Sequence, residues 1–163
     1  MKKILLTAIN AKYIHSNLAV YSLKAYAQSC FAGEDSVDVE IAEYTINQQT
    51  DEILRDIFKR KPDMLCFSCY IWNIQEILTV ARELHKVSPD TNIWLGGPEV
   101  SYNSISILEN HPFVEGIMRG EGEKTFAELV QCWNGQYVEY FNCSGRDKLD
   151  CRYKDILGIT YRN

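Results

Sequence analysis

A few short stretches and scattered side chains of this 163-residue chain hold residue types that could do chemistry. Asn92-Ile-Trp-Leu-Gly-Gly-Pro-Glu99 runs an apolar segment into two glycines and a proline. Pro98 cannot continue a ladder, and a backbone bare of Cβ at Gly96 and Gly97 lets a bulky group lie against it. A tight turn uses the same residues, so the pair alone leaves both readings open. Cys66-Phe-Ser-Cys69 has the spacing of a redox or metal pair. Cys66, however, sits in an apolar run and no second pair at ligand spacing follows, which makes these structural thiols. Ser68 offers a hydroxyl, and Tyr13, Tyr70 and Trp72 offer broad apolar faces that can bind a ligand or simply pack. His15, His85 and His111 are scattered, and no Ser-His-Asp or Cys-His arrangement accompanies them. The candidates therefore suit binding better than self-contained catalysis.

Bulk properties narrow the class. With 46% hydrophobic and 24% charged residues, the chain can bury a sizeable core as one domain. A net charge of -5 with scattered basic residues argues against a nucleic-acid partner. No apolar run reaches the length of a membrane span, and Met1-Lys-Lys leads into a strand-like run rather than a signal peptide's apolar core. The expectation is a cytoplasmic protein whose six cysteines are reduced. Gly158-Ile-Thr-Tyr-Arg162 reads as a strand cut off at Asn163, as if more protein followed.

The elements that must position the candidates follow from hydrophobic periodicity. Lys2 to Ile9 is nearly continuously apolar, as for a strand covered on both faces. Ser16 can cap a helix whose face carries Ala19, Leu23, Tyr26, Ala27 and Cys30. Val37, Val39 and Ile41 alternate with Asp38 and Glu40, the pattern of an edge strand. Thr50 opens a second helix that Pro62 ends, and Met64 to Ser68 is a third strand. Asn73 and Glu76 form the pattern of a capping box ahead of an apolar stripe from Ile74 to Leu84. After the Gly-Gly strand come a short helix from Ser104 to Glu109 and a fifth strand from Val114 to Met118. Gly120-Glu-Gly-Glu123 then leads into a helix with Phe126, Leu129, Val130 and Trp133 on one face. Regularity fades after Gly135, which predicts an α/β domain over 1–134 and a C-terminal extension over 135–163.

Buried strands alternating with amphipathic helices imply a three-layer, parallel sheet with right-handed crossovers. A hydrophilic second strand at the edge gives the flavodoxin-like (Rossmann-like) five-stranded order 2-1-3-4-5. Its ligand crevice lies outside the ends of strands one, three and four, at Asn10 to His15, Ser68 to Asn73 and Gly96 to Glu99. Familiar occupants of that crevice do not match. A phosphoacceptor receiver needs acidic residues where Asn10 and Ser68 stand, and Ala11-Lys-Tyr-Ile14 is no phosphate loop. The G-x-G-x-x-G dinucleotide fingerprint is absent.

Taken in order, Ile9-Asn-Ala-Lys-Tyr-Ile-His-Ser-Asn-Leu-Ala-Val20, Phe67-Ser-Cys-Tyr-Ile-Trp-Asn73, Leu95-Gly-Gly-Pro-Glu99, Arg119-Gly-Glu-Gly-Glu123 and Gly158-Ile-Thr-Tyr-Arg162 resemble one family. It is the N-terminal cobalamin (vitamin B12)-binding domain of B12-dependent radical S-adenosylmethionine enzymes, whose relatives include the anaerobic magnesium-protoporphyrin monomethyl ester cyclase. The resemblance implies that Ser68, Gly96 and Gly97 hold the cofactor's nucleotide tail. It sets Gly120, Glu121, Gly122 and Glu123 beside the cofactor, although a solvated turn with an acidic first helical turn explains them equally well. It also implies that Asn10, Ala11, Lys12, Tyr13 and His15, with Cys69, Tyr70, Pro98 and Glu99, border the site.

Two departures matter. Mutase-type cobalamin proteins carry Asp-x-His-x-x-Gly after strand one, and its histidine ligates cobalt; here Lys12 stands at that position. A lysine ammonium must lose its proton before it can coordinate, so the expectation is base-off cobalamin with no protein histidine below cobalt. His15 is a fallback ligand, better read as a cap or surface residue. The Cys-x3-Cys-x2-Cys motif of the radical domain is also absent, and Cys143 and Cys151 do not supply it. An iron-sulfur (4Fe-4S) cluster and S-adenosylmethionine would then belong to a downstream radical domain, and this chain alone would not be active. Two other readings stay open: a stand-alone corrinoid carrier or sensor, and a scaffold that has lost the cofactor.

Overall fold

The computed structural model describes residues 2–13, 15–31, 37–135 and 153–162. Strand β1 (Lys3–Asn10) is followed by α1 (Leu18–Cys30), β2 (Asp38–Thr45), α2 (Thr50–Arg60), β3 (Met64–Ser68), α3 (Ile74–Val87) and β4 (Asn92–Gly96). The short helices α4 (Pro98–Ser101) and α5 (Ser104–Asn110) lead to β5 (Gly116–Met118), α6 (Gly122–Trp133) and β6 (Ile159–Tyr161). The six-stranded sheet has the order β2-β1-β3-β4-β5-β6. The first five strands pair in parallel, in the expected order. The sixth corrects the expected count: the strand read at the chain's end turns back and pairs antiparallel with β5. Only three residues of β5 are paired, and β6 shields that edge from solvent.

Alternation on the strands divides the core into two layers. Leu5 and Ile9 of β1 join Leu65, Phe67, Ile93, Leu95 and Ile117 in one apolar cluster with Ile53 and Ile57 of α2 and Ile77, Val80 and Leu84 of α3. Ile4, Leu6 and Ala8 face the other way, with Cys66, Trp94 and Met118, against Val20 and Ala27 of α1 and Phe126, Leu129 and Val130 of α6. A strand covered on both sides must be apolar at nearly every position, which is why β1 lacks the alternation of β2. Among the described residues, no helix is long and apolar enough to cross a membrane.

Two local expectations change. Helix α1 is capped by Asn17, whose Oδ1 accepts the Ala19 N–H at 3.1 Å, and not by Ser16. Both residue types cap well, so periodicity alone cannot separate neighbours. The Asn73–Glu76 box does not form. Asn73 is 1% exposed and donates through Nδ2 to the carbonyls of Ile9 and Ser68, while its Oδ1 accepts the Tyr70 N–H. Glu76 instead accepts from the Thr50 hydroxyl. Buried strand-end carbonyls need donors more than a helix end open to water does.

Candidate functional site

The faces that alternation assigns to the sheet also create a slot. Leu6, Cys66, Ser68, Gly96 and Met118 all point toward the α1–α6 layer, and at the carboxyl edge of the strands this face is not filled. The cavity there measures about 420 Å³, with Ala19, Val20 and Leu23 of α1 as the opposite wall. Gly97, Pro98, Ser101 and Tyr102 form one rim, and Gly120, Glu121, Gly122 and Glu123 the other. Small-molecule sites run to roughly 300–1,000 Å³, mostly apolar with a few placed polar groups. This one fits that description.

The tandem glycines do different jobs. A Cβ on Gly96 would make only ordinary contact with Met118 at 3.7 Å, so the chain's own packing does not exclude a side chain there. Gly97 has φ +110, and a Cβ there would lie 2.4 Å from the Cys69 carbonyl oxygen. The Cys69 N–H donates to Gly96 O at 2.7 Å, drawing the two loops together. Gly97 is thus required by the chain's own packing, and Gly96 is the bare patch a ligand can use. The Ser101 hydroxyl donates to Gly97 O at 2.8 Å and accepts the Gly120 N–H at 3.4 Å, joining the rims. On the far rim Glu123 accepts from the Ser22 hydroxyl of α1, and that bond holds its carboxyl below the usual value.

Ser68, 8% exposed, belongs to a hydrogen-bond network that runs to the edge strand. Its Oγ accepts from Asn17 Nδ2 at 3.1 Å. The Glu43 carboxylate accepts from the Asn17 N–H at 2.8 Å, from Asn10 Nδ2 at 2.9 Å and from the Tyr21 hydroxyl at 2.7 Å. Partial burial pushes the Glu43 carboxyl upward, but the bonds from Asn17, Tyr21 and Asn10 outweigh it and hold the group below 4.5. A carboxylate with a depressed folded value stabilises the fold fully above 4.5, and that contribution disappears as pH falls through the folded value. Thermal melts of Glu43→Gln and wild type should therefore differ most near neutral pH and converge below 4.5. A gap of constant size would show that the charge does not hold the network.

Of the residues the sequence pointed to, Ser68, Tyr70, Gly96, Gly97, Pro98 and Gly120 to Glu123 line the slot. Asn10, Ala11, Lys12, Tyr13, His15, Cys69 and Glu99 do not. Asn10 is engaged by Glu43; Lys12, Tyr13 and His15 are exposed, the His15 N–H donating to Lys12 O at 3.2 Å. Cys69 is buried beneath Gly97, and burial raises its thiol and that of Cys66, keeping both protonated. Cys143 and Cys151 lie outside the described residues. Trp72 stacks on Tyr70 with centroids 4.6 Å apart. Sequence reasoning missed Asn17, Glu43, Ser101 and Met118. Only Asn17 had a signal, since it lies inside the first of the resembling stretches.

Residues 4–130 match the model of the B12 binding domain. The chain is 34% identical over 80 residues to the cobalamin-dependent radical SAM methyltransferase TokK of Streptomyces tokunonensis, covering 49% of this chain and 12% of that protein. It is 29% identical over 97 residues to the anaerobic magnesium-protoporphyrin IX monomethyl ester cyclase of Rubrivivax gelatinosus, covering 57% of this chain and 17% of that protein. This chain thus spans less than a fifth of either relative. The crystal structure of a cobalamin-binding protein from Desulfitobacterium hafniense shares the fold with TM-score 0.57 at 12% identity, over 81% of this chain and 58% of that one. The family model covers most of the sequence, and the chain belongs to the B12-binding domain family.

Proposed function

We propose that this chain is the cofactor-holding domain of a larger B12-dependent radical SAM enzyme, of the methyltransferase or cyclase class. It takes cobalamin in the base-off form, inserts the nucleotide tail into the slot and presents the corrin to a catalytic domain outside this sequence. The observation that carries the reading is the open slot itself: an apolar crevice of about 420 Å³ on the face that bears Ser68 and Gly96. A flat base suits walls made by Leu6, Val20, Leu23 and Met118, and Gly96 removes the side chain that would obstruct it. The Ser68 hydroxyl is the polar group placed to orient the tail. Tyr70 and Tyr102 flank the mouth.

When bound, cobalamin supplies a cobalt centre able to carry a methyl group, and the protein's part is to hold and orient it. Lys12, where mutase-type proteins have a cobalt-ligating histidine, and His15 are both exposed and outside the slot, which supports a cobalt without a protein ligand below it. The cluster and S-adenosylmethionine belong to the catalytic domain, and a reducing cytoplasm suits the buried thiols.

Titrating the chain into aquacobalamin tests this by visible absorption. The expected outcome is saturable conversion to a base-off spectrum, the same in His15→Ala as in wild type. A spectrum unchanged at every protein concentration would leave a cofactor-free scaffold as the better reading, and a spectrum altered in His15→Ala would restore histidine as the lower ligand.

A further inference from the structure

We propose that Asn17 is a positioning residue that locks the Ser68 hydroxyl as a hydrogen-bond donor toward an acceptor atom on the nucleotide tail; this rests on the cofactor reading above. The amide of Asn17 has two unlike ends. One end must accept, because the Ala19 N–H at the start of α1 has Asn17 Oδ1 as its acceptor at 3.1 Å. That bond decides which way the amide faces, so the group aimed at Ser68 is Nδ2, which can only donate. The backbone of Asn17 is fixed in turn, since its N–H donates to the Glu43 carboxylate at 2.8 Å. Ser68 Oγ therefore accepts from inside the protein at 3.1 Å, and its own O–H is left to point elsewhere. Among the described residues no acceptor receives that O–H, and Ser68 lines the slot. A serine alone could present either polarity, because a hydroxyl rotates to suit its partner. Here the helix cap removes that choice, and the slot selects a ligand that brings an acceptor.

Asn17→Asp tests the polarity with little change in shape. Aspartate caps a helix as well as asparagine, so α1 keeps its start. Its second oxygen accepts, however, which turns the Ser68 O–H inward and leaves only lone pairs facing the slot. Asn17→Ser keeps an uncharged cap but is too short to reach Ser68, so the hydroxyl rotates freely. Kd values for cobalamin should rank wild type tightest, Asn17→Ser intermediate and Asn17→Asp weakest, the last by about tenfold or more. Dicyanocobinamide, which lacks the nucleotide tail, should bind all three alike. In a Ser68→Ala background the Asn17→Asp loss should vanish. An equal loss for cobinamide, a loss undiminished in Ser68→Ala, or Asn17→Ser weaker than Asn17→Asp would each overturn the proposal, because the effect would then run through the helix or its charge. Failure of wild type to bind either corrinoid would instead refute the cofactor reading on which it stands.

Discussion

Gly96→Phe is expected to weaken cobalamin binding roughly a hundredfold, about 2.8 kcal/mol, while leaving the melting temperature within a few degrees of wild type. The two halves of that expectation have separate causes. Gly96 ends β4 without a positive φ, and an added Cβ would make only ordinary contact with Met118 at 3.7 Å. A side chain there therefore does not strain the backbone. Its ring enters the slot between the sheet and α1, where Leu6, Val20 and Leu23 offer it an apolar surface. Burying the ring offsets part of what ordering it costs. The volume it fills is the volume the nucleotide tail needs, so affinity falls by exclusion. Absorption titration and a thermal melt on the same sample separate the effects. Retention equal to wild type would mean the tail goes elsewhere.

Gly97→Ala should do the reverse, costing roughly 3 kcal/mol of stability, or a melting temperature lower by roughly 6–12 °C for a chain of this size. Its φ of +110 is closed to residues with a side chain, and the added carbon would lie 2.4 Å from the Cys69 carbonyl oxygen and 3.0 Å from the Cys69 nitrogen. The obstacle is backbone, which cannot rotate away. Cys69 would have to retreat, breaking its 2.7 Å bond to Gly96 O and parting the loops that end β3 and β4. Urea melts of the two variants check this directly. A Gly97→Ala protein as stable as wild type would contradict the close approach of these loops.

The neighbouring glycines show how far the residues alone could be read. Their types announced a bare stretch of backbone at a strand end, and a continuous apolar β1 beside a half-polar β2 was enough to order the parallel strands. Which glycine serves the fold depends on where Cys69 comes to rest, a contact between loops that no local pattern encodes. Asn73 shows a pattern that misleads, since its spacing from Glu76 fits a surface cap while the demand for donors lies beneath it, at Ile9 and Ser68. Glu43 shows a signal that was missing. On an edge strand already carrying Asp38 and Glu40 it reads as one more solvated acid, and only the tertiary arrangement, with the end of β1 beside it and the start of α1 over it, gives it Asn10, Asn17 and Tyr21 as donors. The residues from Asn10 to His15 end and follow a strand that borders the crevice, and Lys12, Tyr13 and His15 are exposed and do not line the slot, Tyr13 at 90% exposure. Strand β6 was legible as a strand, but its antiparallel partner is set by a long-range contact with β5.

A crystal structure of the chain with cobalamin bound measures the central claim most directly. The nucleotide base is expected between the β3–β4 edge and α1, against Gly96, with the Ser68 hydroxyl in hydrogen-bond contact and no protein atom below cobalt. Density showing the base still on cobalt, with the slot closed over by Leu23 and Met118, would contradict it.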